Sequence, residues 1–431
     1  MTDSPPRRGI FVPYKWTVVG MLWFVCFFSY ADRQAIFSIF PKLRDEFGFD
    51  VVQLGLIGSA FTWVYALGGP LAGYLADRLP RRRIILTACL FWSVITGATG
   101  LCGQLWSFIT VRALSGLGET LYYPAAVSLL SDYHDSRTRS KAFSFHQSGV
   151  YIGTIAGSWL GAWFAEHWGW RAGFYFFGGA GVILVLAFAR FLREPMRGAV
   201  DVGQALPPLG AKACFHLLKS KPTALLLMAA FLCANFVATI FLTWTPTFLV
   251  DKFGFKLTAA GLSGSLFINL ASACSVPLGG ILADRLARRF AGGRILIQAG
   301  GLLAGAALVA VVGLTQHVST LLIGMALFGL CKGVYDANIF ASLYDVIEPR
   351  ARGTAAGIMN TVGWGGGALG PLGVGFATKY GHHARQIDNM SEAIACGSVV
   401  YLIGAGLLLI AAIKFVRQDL VERVVPNALA R

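Results

Sequence analysis

Six charged residues interrupt long apolar stretches of this 431-residue chain, namely Asp32, Arg33, Arg112, Glu119, Lys332 and Asp336. A charged side chain at the centre of a bilayer costs about 3 kcal/mol or more unless it is paired or hydrated, so such residues are rare without a function. A carboxyl group without a nearby cation in these surroundings can take up and release a proton. These six residues are therefore the first candidates for chemistry.

The spacing of the six residues predicts which of them meet. Asp32 lies a little past the middle of its apolar stretch and Arg112 enters the membrane from the other side to a similar height, so we expect them to pair. Arg112 and Glu119 are seven residues apart and share one helix face. Lys332 and Asp336 are four apart and can neutralise each other. A purely structural role, in which ion pairs hold helices together, is the alternative for all six.

The elements that position these residues are predicted to be membrane-spanning helices. Hydrophobic residues make up 56% of the chain and charged residues only 13%, which is far more apolar than a soluble domain. Runs long enough to cross about 30 Å of hydrocarbon predict an all-α membrane protein with twelve spans. They cover residues 17–40, 52–75, 84–103, 105–130, 140–165, 171–192, 222–250, 258–283, 294–312, 318–345, 354–378 and 391–415.

Basic residues gather in the connections on one side of the predicted membrane. Cytoplasmic loops carry an excess of Lys and Arg, so the net charge of +15 indicates orientation rather than a nucleic-acid partner, and both termini are predicted to be cytoplasmic. The eight cysteines are scattered singly, without the spacing of a metal site or a disulfide framework. We therefore expect no cofactor and no bound metal.

Two ordered sequence matches divide the chain into equivalent halves. "GYLADRLPRR" (73–82) matches "GGILADRLARR" (279–289), and "SDYHDSRTR" (131–139) matches "YDVIEPRAR" (344–352). Because such repeats indicate internal duplication, they predict two pseudo-symmetric six-helix bundles. The predicted organisation is an N-terminal bundle over 1–192, a cytoplasmic linker over 193–221 and a C-terminal bundle over 222–431.

The duplication also aligns "GLGETLYY" (116–123) with "GLCKGVYD" (329–336), so that Glu119 matches Lys332. In the first motif pair, a carboxylate at a helix end and nearby arginines can pair with neighbouring helix ends and hold one conformation closed. Simple anchoring of the loops by their charges is the alternative. The candidate gating residues are Asp77, Arg78, Arg81, Asp284 and Arg285.

The duplicated halves and the loop motif that contains Gly73, Asp77, Arg78, Arg81 and Arg82 resemble the major facilitator superfamily. That resemblance implies two six-helix bundles around a central cavity. Because the loop motif is present in both halves, a gating role for it is favoured over simple anchoring.

Further motifs resemble the anion:cation symporter branch of that superfamily, which includes sugar-acid and phthalate permeases and sialic acid carriers. They are "YADR" (30–33), "RALSGLGETLYYPAAVSLLSD" (112–132), "FLTWTPTFLVDKFGF" (241–255) and "GTAAGIMN" (353–360). The resemblance implies that Asp32 and Glu119 carry protons and that Arg33 meets the anion. The charges at Lys332 and Asp336 depart from the pattern of that branch. A second resemblance, to spinster-type lysolipid carriers, is carried by the Asp-Arg pair and the Gly-x-Gly-Glu run.

These observations predict a secondary transporter rather than an enzyme, since the spans contain no paired metal-ligand or nucleophile motif. The predicted activity is proton-coupled symport of a small organic anion, a carboxylate or sugar acid, by alternating access, and the alternative is a spinster-like lysolipid carrier. We expect a monomer in the bilayer of a bacterial inner membrane. The candidate substrate-binding residues are Arg33, Arg112, Tyr65, Tyr122, Asn235, Lys332, Tyr335 and Asp336.

Overall fold

A computed structural model describes residues 13–135, 137–196 and 211–420 of the chain. Within these ranges the secondary structure is helical, without β-strands. The helices are α1 (Tyr14–Ser38), α2 (Phe40–Phe47), α3 (Val51–Arg78), α4 (Arg81–Thr99), α5 (Leu105–Tyr133), α6 (Arg139–His167), α7 (Trp170–Phe191), α8 (Ala211–Lys219), α9 (Pro222–Phe253), α10 (Leu257–Ala287), α11 (Gly293–Leu314), α12 (Val318–Asp336), α13 (Ile339–Val346), α14 (Arg352–Tyr380), α15 (Gln386–Ile410) and α16 (Val416–Asp419). About half of the predicted linker, residues 197–210, lies outside the described residues.

Twelve of the helices in the described ranges have 19 residues or more, and they follow the predicted spans closely. Seven segments of the described chain are also apolar enough to cross a bilayer by length and composition: Val51–Ala76, Trp170–Phe191, Pro222–Phe253, Leu257–Ala287, Gly293–Leu314, Val318–Val346 and Gln386–Asp419. The all-α fold of a multi-pass membrane protein is confirmed. Twelve crossings of the bilayer stay a prediction.

Local sequence signals account for several helix ends. Asp50 caps α3, because its side chain accepts a hydrogen bond from the Gln53 amide while the Gln53 side chain accepts one from the Asp50 amide. Helix α9 begins at Pro222, whose missing amide proton costs nothing in the first turn. Gly254 ends α9 with a φ of 68°, a left-handed conformation that glycine adopts without strain.

Glycines allow the closest helix contacts, and they do so equivalently in the two halves. In the N-terminal half, α6 crosses α1 where Gly153 and Gly157 face the carbonyl oxygens of Phe27 and Ala31, with no room for a Cβ atom. Small residues at such crossings let backbones approach closely. In the C-terminal half, α14 crosses α9 through Gly366 and Gly370, which face the carbonyl oxygens of Leu232 and Phe236 in the same way.

One arginine in each half makes an equivalent pair of hydrogen bonds, which supports the duplication. Arg139 donates from Nε to the carbonyl of His134 and from Nη2 to that of Ser131, both at 3.0 Å. Arg352 donates from Nε to the carbonyl of Ile347 at 3.3 Å and from Nη2 to that of Tyr344 at 2.8 Å. The acceptors lie five and eight residues before the arginine in both halves, as the sequence alignment of the repeats predicts.

The helix ends define two faces of the molecule. The linker face carries the connections 79–80, 192–196 and 288–292, and the far face carries 48–50, 168–169, 254–256 and 381–385. The positive-inside rule predicts that the linker face is cytoplasmic.

Two ion pairs join the halves at the far face. Arg44 Nη1 lies 2.6 Å from Asp251 Oδ2, and Lys379 Nζ lies 2.7 Å from Asp50 Oδ2. Glu166 adds a third contact between the halves there, because it accepts hydrogen bonds from the amide and hydroxyl of Thr258. The halves are thus held together on the far face.

Candidate functional site

A cavity of about 910 Å³ lies between the two halves. Helices α1, α3, α5 and α6 line it from the N-terminal half, and α9, α10, α12, α13 and α14 line most of the opposite wall. The lining reaches Gly73, Ser131 and Gly353, which lie within two turns of the ends of their helices at the linker face. Since the contacts described above hold the halves together at the far face, this conformation directs the cavity toward the linker face.

Arg33 stands in the wall of this cavity and forms an ion pair with Glu119. The Arg33 Nη2 atom lies 2.8 Å from Glu119 Oε2, and its Nε lies 3.3 Å from the same oxygen. The hydroxyl of Ser29 also donates to Glu119 Oε2, at 2.7 Å. The Glu119 side chain is only 1% exposed, whereas that of Arg33 is 10% exposed. Glu119 therefore lies behind Arg33 and is connected to the cavity through the Arg33 side chain.

Aromatic rings enclose the Arg33 guanidinium. The Cζ atom of Arg33 lies 4.4 to 4.7 Å from the ring centres of Phe61, Tyr30 and Tyr65, and 5.7 Å from that of Trp364. Such rings attract a cation over their faces and restrict its movement. Trp364 belongs to α14, so this enclosure contains a residue from each half. The remaining buried donor, Nη1, has no hydrogen-bond partner among the described residues.

The expected pair between Asp32 and Arg112 is not formed, and that expectation is wrong for this conformation. Asp32 Oδ2 instead accepts a hydrogen bond of 2.8 Å from the hydroxyl of Thr96 on α4. Arg112 Nη2 donates to the carbonyl of Arg33 at 3.4 Å, and its guanidinium lies 4.8 Å from the Phe61 ring centre. Asp32 and Arg112 are both buried behind the cavity wall. The position of each residue along its helix predicted similar heights in the membrane. It gave no information on the direction in which each side chain points.

Lys332 and Asp336 form the expected ion pair along α12. Both residues line the cavity, and their side chains are 21% and 30% exposed. They are therefore much more accessible than Arg33 and Glu119. Because Glu119 is the fifteenth residue of α5 and Lys332 the fifteenth of α12, the predicted equivalence of these positions agrees with the structure.

The structure separates the other candidate binding residues into two groups. Tyr65 and Asn235 line the cavity. Tyr122 is buried, where its hydroxyl contacts the Leu22 carbonyl at 2.7 Å and His146 Nε2 at 2.8 Å. Tyr335 is 1% exposed within the C-terminal core. Tyr122 and Tyr335 therefore do not face the cavity in this conformation, because their side chains point into the packing of their own half.

Several cavity residues carried no distinguishing signal in the sequence. No motif singled these residues out, and only the fold brings them to one wall. Tyr30 was part of the "YADR" motif, but it was not identified there as a lining residue. The lining residues missed from the sequence include Tyr30, Gln34, Phe61, Tyr123, Gln147, Tyr151 and Trp364.

Two of the candidate gating residues, Arg81 and Asp284, take part in ion-pair clamps within their own halves. Arg81 pairs with Asp132 and, from Nε at 2.9 Å, with Glu194, so it joins the ends of α4 and α5 to the segment after α7. In the C-terminal half the equivalent connection is made by Arg294, which lies 2.8 Å from Asp284 and 3.2 Å from Asp345. Sequence matching did not find Arg294, because it lies beyond the repeated motif.

Arg78 and Arg285 form no ion pair with the described residues; Arg78 instead lies 3.7 Å from the Tyr74 ring centre. The side chain of Asp77 lies outside the described part of the chain. A gating role for these residues stays a prediction, and in this conformation the described clamps do not cross between the halves.

The fold and the cavity agree with the comparison to known families. The family model of the Major Facilitator Superfamily matches residues 22–371 and 269–430. The chain belongs to the Major Facilitator Superfamily.

Three similar proteins are transporters rather than enzymes. The probable galactarate/D-glucarate transporter of Bacillus subtilis is 26% identical, over 93% of this chain and 92% of that protein. The hexuronate transporter of the same organism is 24% identical over 94% of each chain. The chloroplastic ascorbate transporter of Arabidopsis thaliana is 27% identical over 91% of this chain and 74% of that protein. The prediction that the chain is not an enzyme is thereby confirmed.

Among solved structures, a bacterial homologue of the human lysosomal transporter Spinster, in an inward-facing and unoccupied conformation, has the same fold. The TM-score is 0.84 at 21% sequence identity, and the match covers 95% of this chain and 99% of that chain. At this identity the likeness concerns the fold.

Proposed function

We propose that this protein is a proton-coupled symporter that moves a small organic anion across the membrane by alternating access. The observation that carries the proposal is the Arg33–Glu119 ion pair at the wall of the central cavity. Arg33 supplies a cation in an apolar enclosure, and Glu119 supplies a carboxylate that competes with any anion for it. The names of the relatives, which include transporters of galactarate, hexuronate and ascorbate, support an organic anion as the substrate.

Proton coupling follows from this competition. While Glu119 is ionised, its Oε2 atom occupies the Nη2 and Nε donors of Arg33. A proton on Glu119 removes that negative charge, so the guanidinium can bind a substrate carboxylate in a charge-assisted geometry instead. Binding of the proton and of the anion therefore favour each other, and the coupling is reciprocal. Asp32, held by Thr96 on a neighbouring helix, is the second proposed proton site.

Alternating access requires a second conformation in which the cavity opens to the far face. The ion pairs Arg44–Asp251 and Lys379–Asp50 are the far-face contacts that this change must break. Neutralising the cavity charges lowers the cost of enclosing them between the halves. A bound anion together with its protons thus permits the change, whereas the anion alone does not.

Uptake into proteoliposomes tests the proposal. The purified protein is reconstituted and given an inward proton gradient, and the uptake of radiolabelled sugar acids, aromatic acids and small mono- and dicarboxylates is measured. We expect a carboxylate to accumulate against its gradient and the accumulation to stop when a protonophore collapses the pH difference. Facilitated uptake that ignores the pH gradient would contradict proton coupling.

A lysolipid or similar amphiphile is the second candidate substrate, and the apolar part of the cavity lining supports it. The rings of Phe231, Phe241, Phe328 and Phe340 line the C-terminal wall. Lysolipids are therefore included in the uptake panel. Competition for the site by long-chain amphiphiles, but not by small carboxylates, would favour this candidate over the first.

A further inference from the structure

A second cation faces the cavity from the C-terminal half. The Lys332 ammonium has three donors, and among the described residues its hydrogen-bond acceptor is Asp336 Oδ2. The Lys332 side chain is 21% exposed in a cavity wall, so its remaining donors are accessible to a solute there. An ion pair between residues four apart on one helix contributes only weakly to the stability of that helix, so stabilisation alone accounts poorly for two charges in this wall.

The two cations lie at comparable depth on opposite walls. Glu119 and Lys332 are each the fifteenth residue of their helices, α5 and α12, which are equivalent in the duplication. The Arg33 guanidinium contacts Glu119 directly, so it reaches the depth of that residue. Among the described residues that line the cavity there is thus one cation in each half, and each cation has a carboxylate partner of its own.

We infer that Lys332 is a second anion subsite, and that the substrate is a dianion whose two negative groups contact Arg33 and Lys332. This inference rests on the proposed function. The six charged residues named first, three carboxylates and three cations, have no net formal charge. A dianion is balanced when both proposed proton sites, Glu119 and Asp32, hold a proton, and its two ends then connect the two halves. The substrate class is therefore a dicarboxylate or an acid with one carboxylate and a second anionic group.

Matched pairs of acids test this inference in the reconstituted protein. Glucarate is compared with gluconate, succinate with butyrate, and phthalate with benzoate, each as a competitor of the uptake of a labelled dicarboxylate near pH 7. Because the second anionic group gains a hydrogen bond to a charged group, we expect at least one dianion to compete about tenfold or more strongly than its matched monoanion.

Two double variants test whether the preference for dianions depends on the Lys332–Asp336 pair. In Lys332→Gln/Asp336→Asn, which removes both charges and leaves neither partner unpaired, the dianion-to-monoanion ratio is expected to fall toward one. The matched control is Arg385→Gln/Asp388→Asn, an exposed ion pair outside the cavity, and it should keep the wild-type ratio. Thermal unfolding of each variant in detergent reports whether the fold is retained.

Two outcomes would overturn the inference, and they are distinguishable. If monocarboxylates are taken up and dianions compete no better, or if the Lys332/Asp336 double variant keeps the preference, the dianion subsite is wrong while the proposed function stands. If no carboxylate of either class is taken up, both are wrong.

Discussion

The two halves of the molecule share their packing and differ in their charges. Gly157 and Gly370 make equivalent helix crossings, at Ala31 and Phe236 respectively. When these two crossings are aligned, Ala31 of α1 corresponds to Phe236 of α9, and Arg33 therefore corresponds to Ala238. The C-terminal half thus has no cation at that position. The N-terminal half instead places its ion pair between two helices, deep in the wall.

The C-terminal half places its ion pair along a single helix, open to the cavity. Lys332 there occupies the position of Glu119, so the sign of the charge is reversed between equivalent sites. The contacts that hold the helices together are thus alike in the two halves, while the cavity wall has different chemistry on each side. Four sets of variants test this difference.

The largest loss of stability is expected for Arg33→Gln. It leaves Glu119 buried without its cation, and removal of one partner of a buried ion pair costs about 3–5 kcal/mol. The measurement is the apparent unfolding temperature in detergent. The double variant Arg33→Gln/Glu119→Gln is the control and should recover most of the loss. A double variant as unstable as the single would contradict the account of the pair.

The glycine crossings are expected to respond alike in both halves. Gly157→Ala and Gly370→Ala each place a methyl group against a carbonyl oxygen, and such overpacking costs about 1–3 kcal/mol. Gly365→Ala, on the same helix as Gly370 but with no atom within 4 Å of the added Cβ, is the matched control. The same unfolding assay applies, and a Gly365→Ala loss equal to that of Gly370→Ala would refute the packing argument.

Asp336→Asn is expected to destabilise the protein much less than Arg33→Gln does. Its ion pair with Lys332 is partly exposed to the cavity, and such pairs contribute about 1 kcal/mol or less. Unfolding temperatures of the two single variants, measured side by side, check the contrast. Equal losses would mean that the C-terminal pair is as buried as the N-terminal one.

The smallest effect is expected at the far face. Burial raises the pKa of Asp50, but hydrogen bonds from Lys379 and from the Gln53 amide outweigh it and hold the pKa below its usual value. The link to Lys379 is therefore fully present above the ordinary aspartate pKa of about 3.9, and is lost only as the pH falls through the lowered value.

Spin labels on α3 and α14 at the far face should accordingly show the same distance between about pH 5 and 8. Asp50→Asn is expected to favour conformations with a longer distance between the labels. The free-energy difference between the short-distance and long-distance conformations should change by less than about 1 kcal/mol. Lengthening in the unmodified protein between pH 8 and 5 would place a pH-sensitive group at the far face rather than in the cavity.

The sequence predicted the helices and the duplication well, because apolar length and repeated motifs depend only on local order in the chain. Lys332 and Asp336 were paired correctly for the same reason, since four residues on one helix fix their separation. The Asp32–Arg112 pair was wrong and the Arg33–Glu119 pair was missed, because contacts between helices depend on rotation about their axes. That rotation is set here by glycine crossings such as Gly157 on Ala31.

The register of α1 against α9 could be determined only from their contacts, because these two helices share no sequence motif. The glycine crossings make Val237 and Ala238 equivalent to Asp32 and Arg33. Neither of these C-terminal positions carries a charge.

Substrate-driven proton movement tests the central claim most directly. Proteoliposomes that contain a pH-sensitive dye receive an inward gradient of the transported anion without a pH gradient, with the wild-type protein or with Glu119→Gln. We expect the wild type to acidify the lumen, and Glu119→Gln, which retains only the proposed proton site at Asp32, to acidify it less for each anion that enters. Acidification per anion that is undiminished in Glu119→Gln, or wild-type anion entry without protons, would contradict proton transport by Glu119.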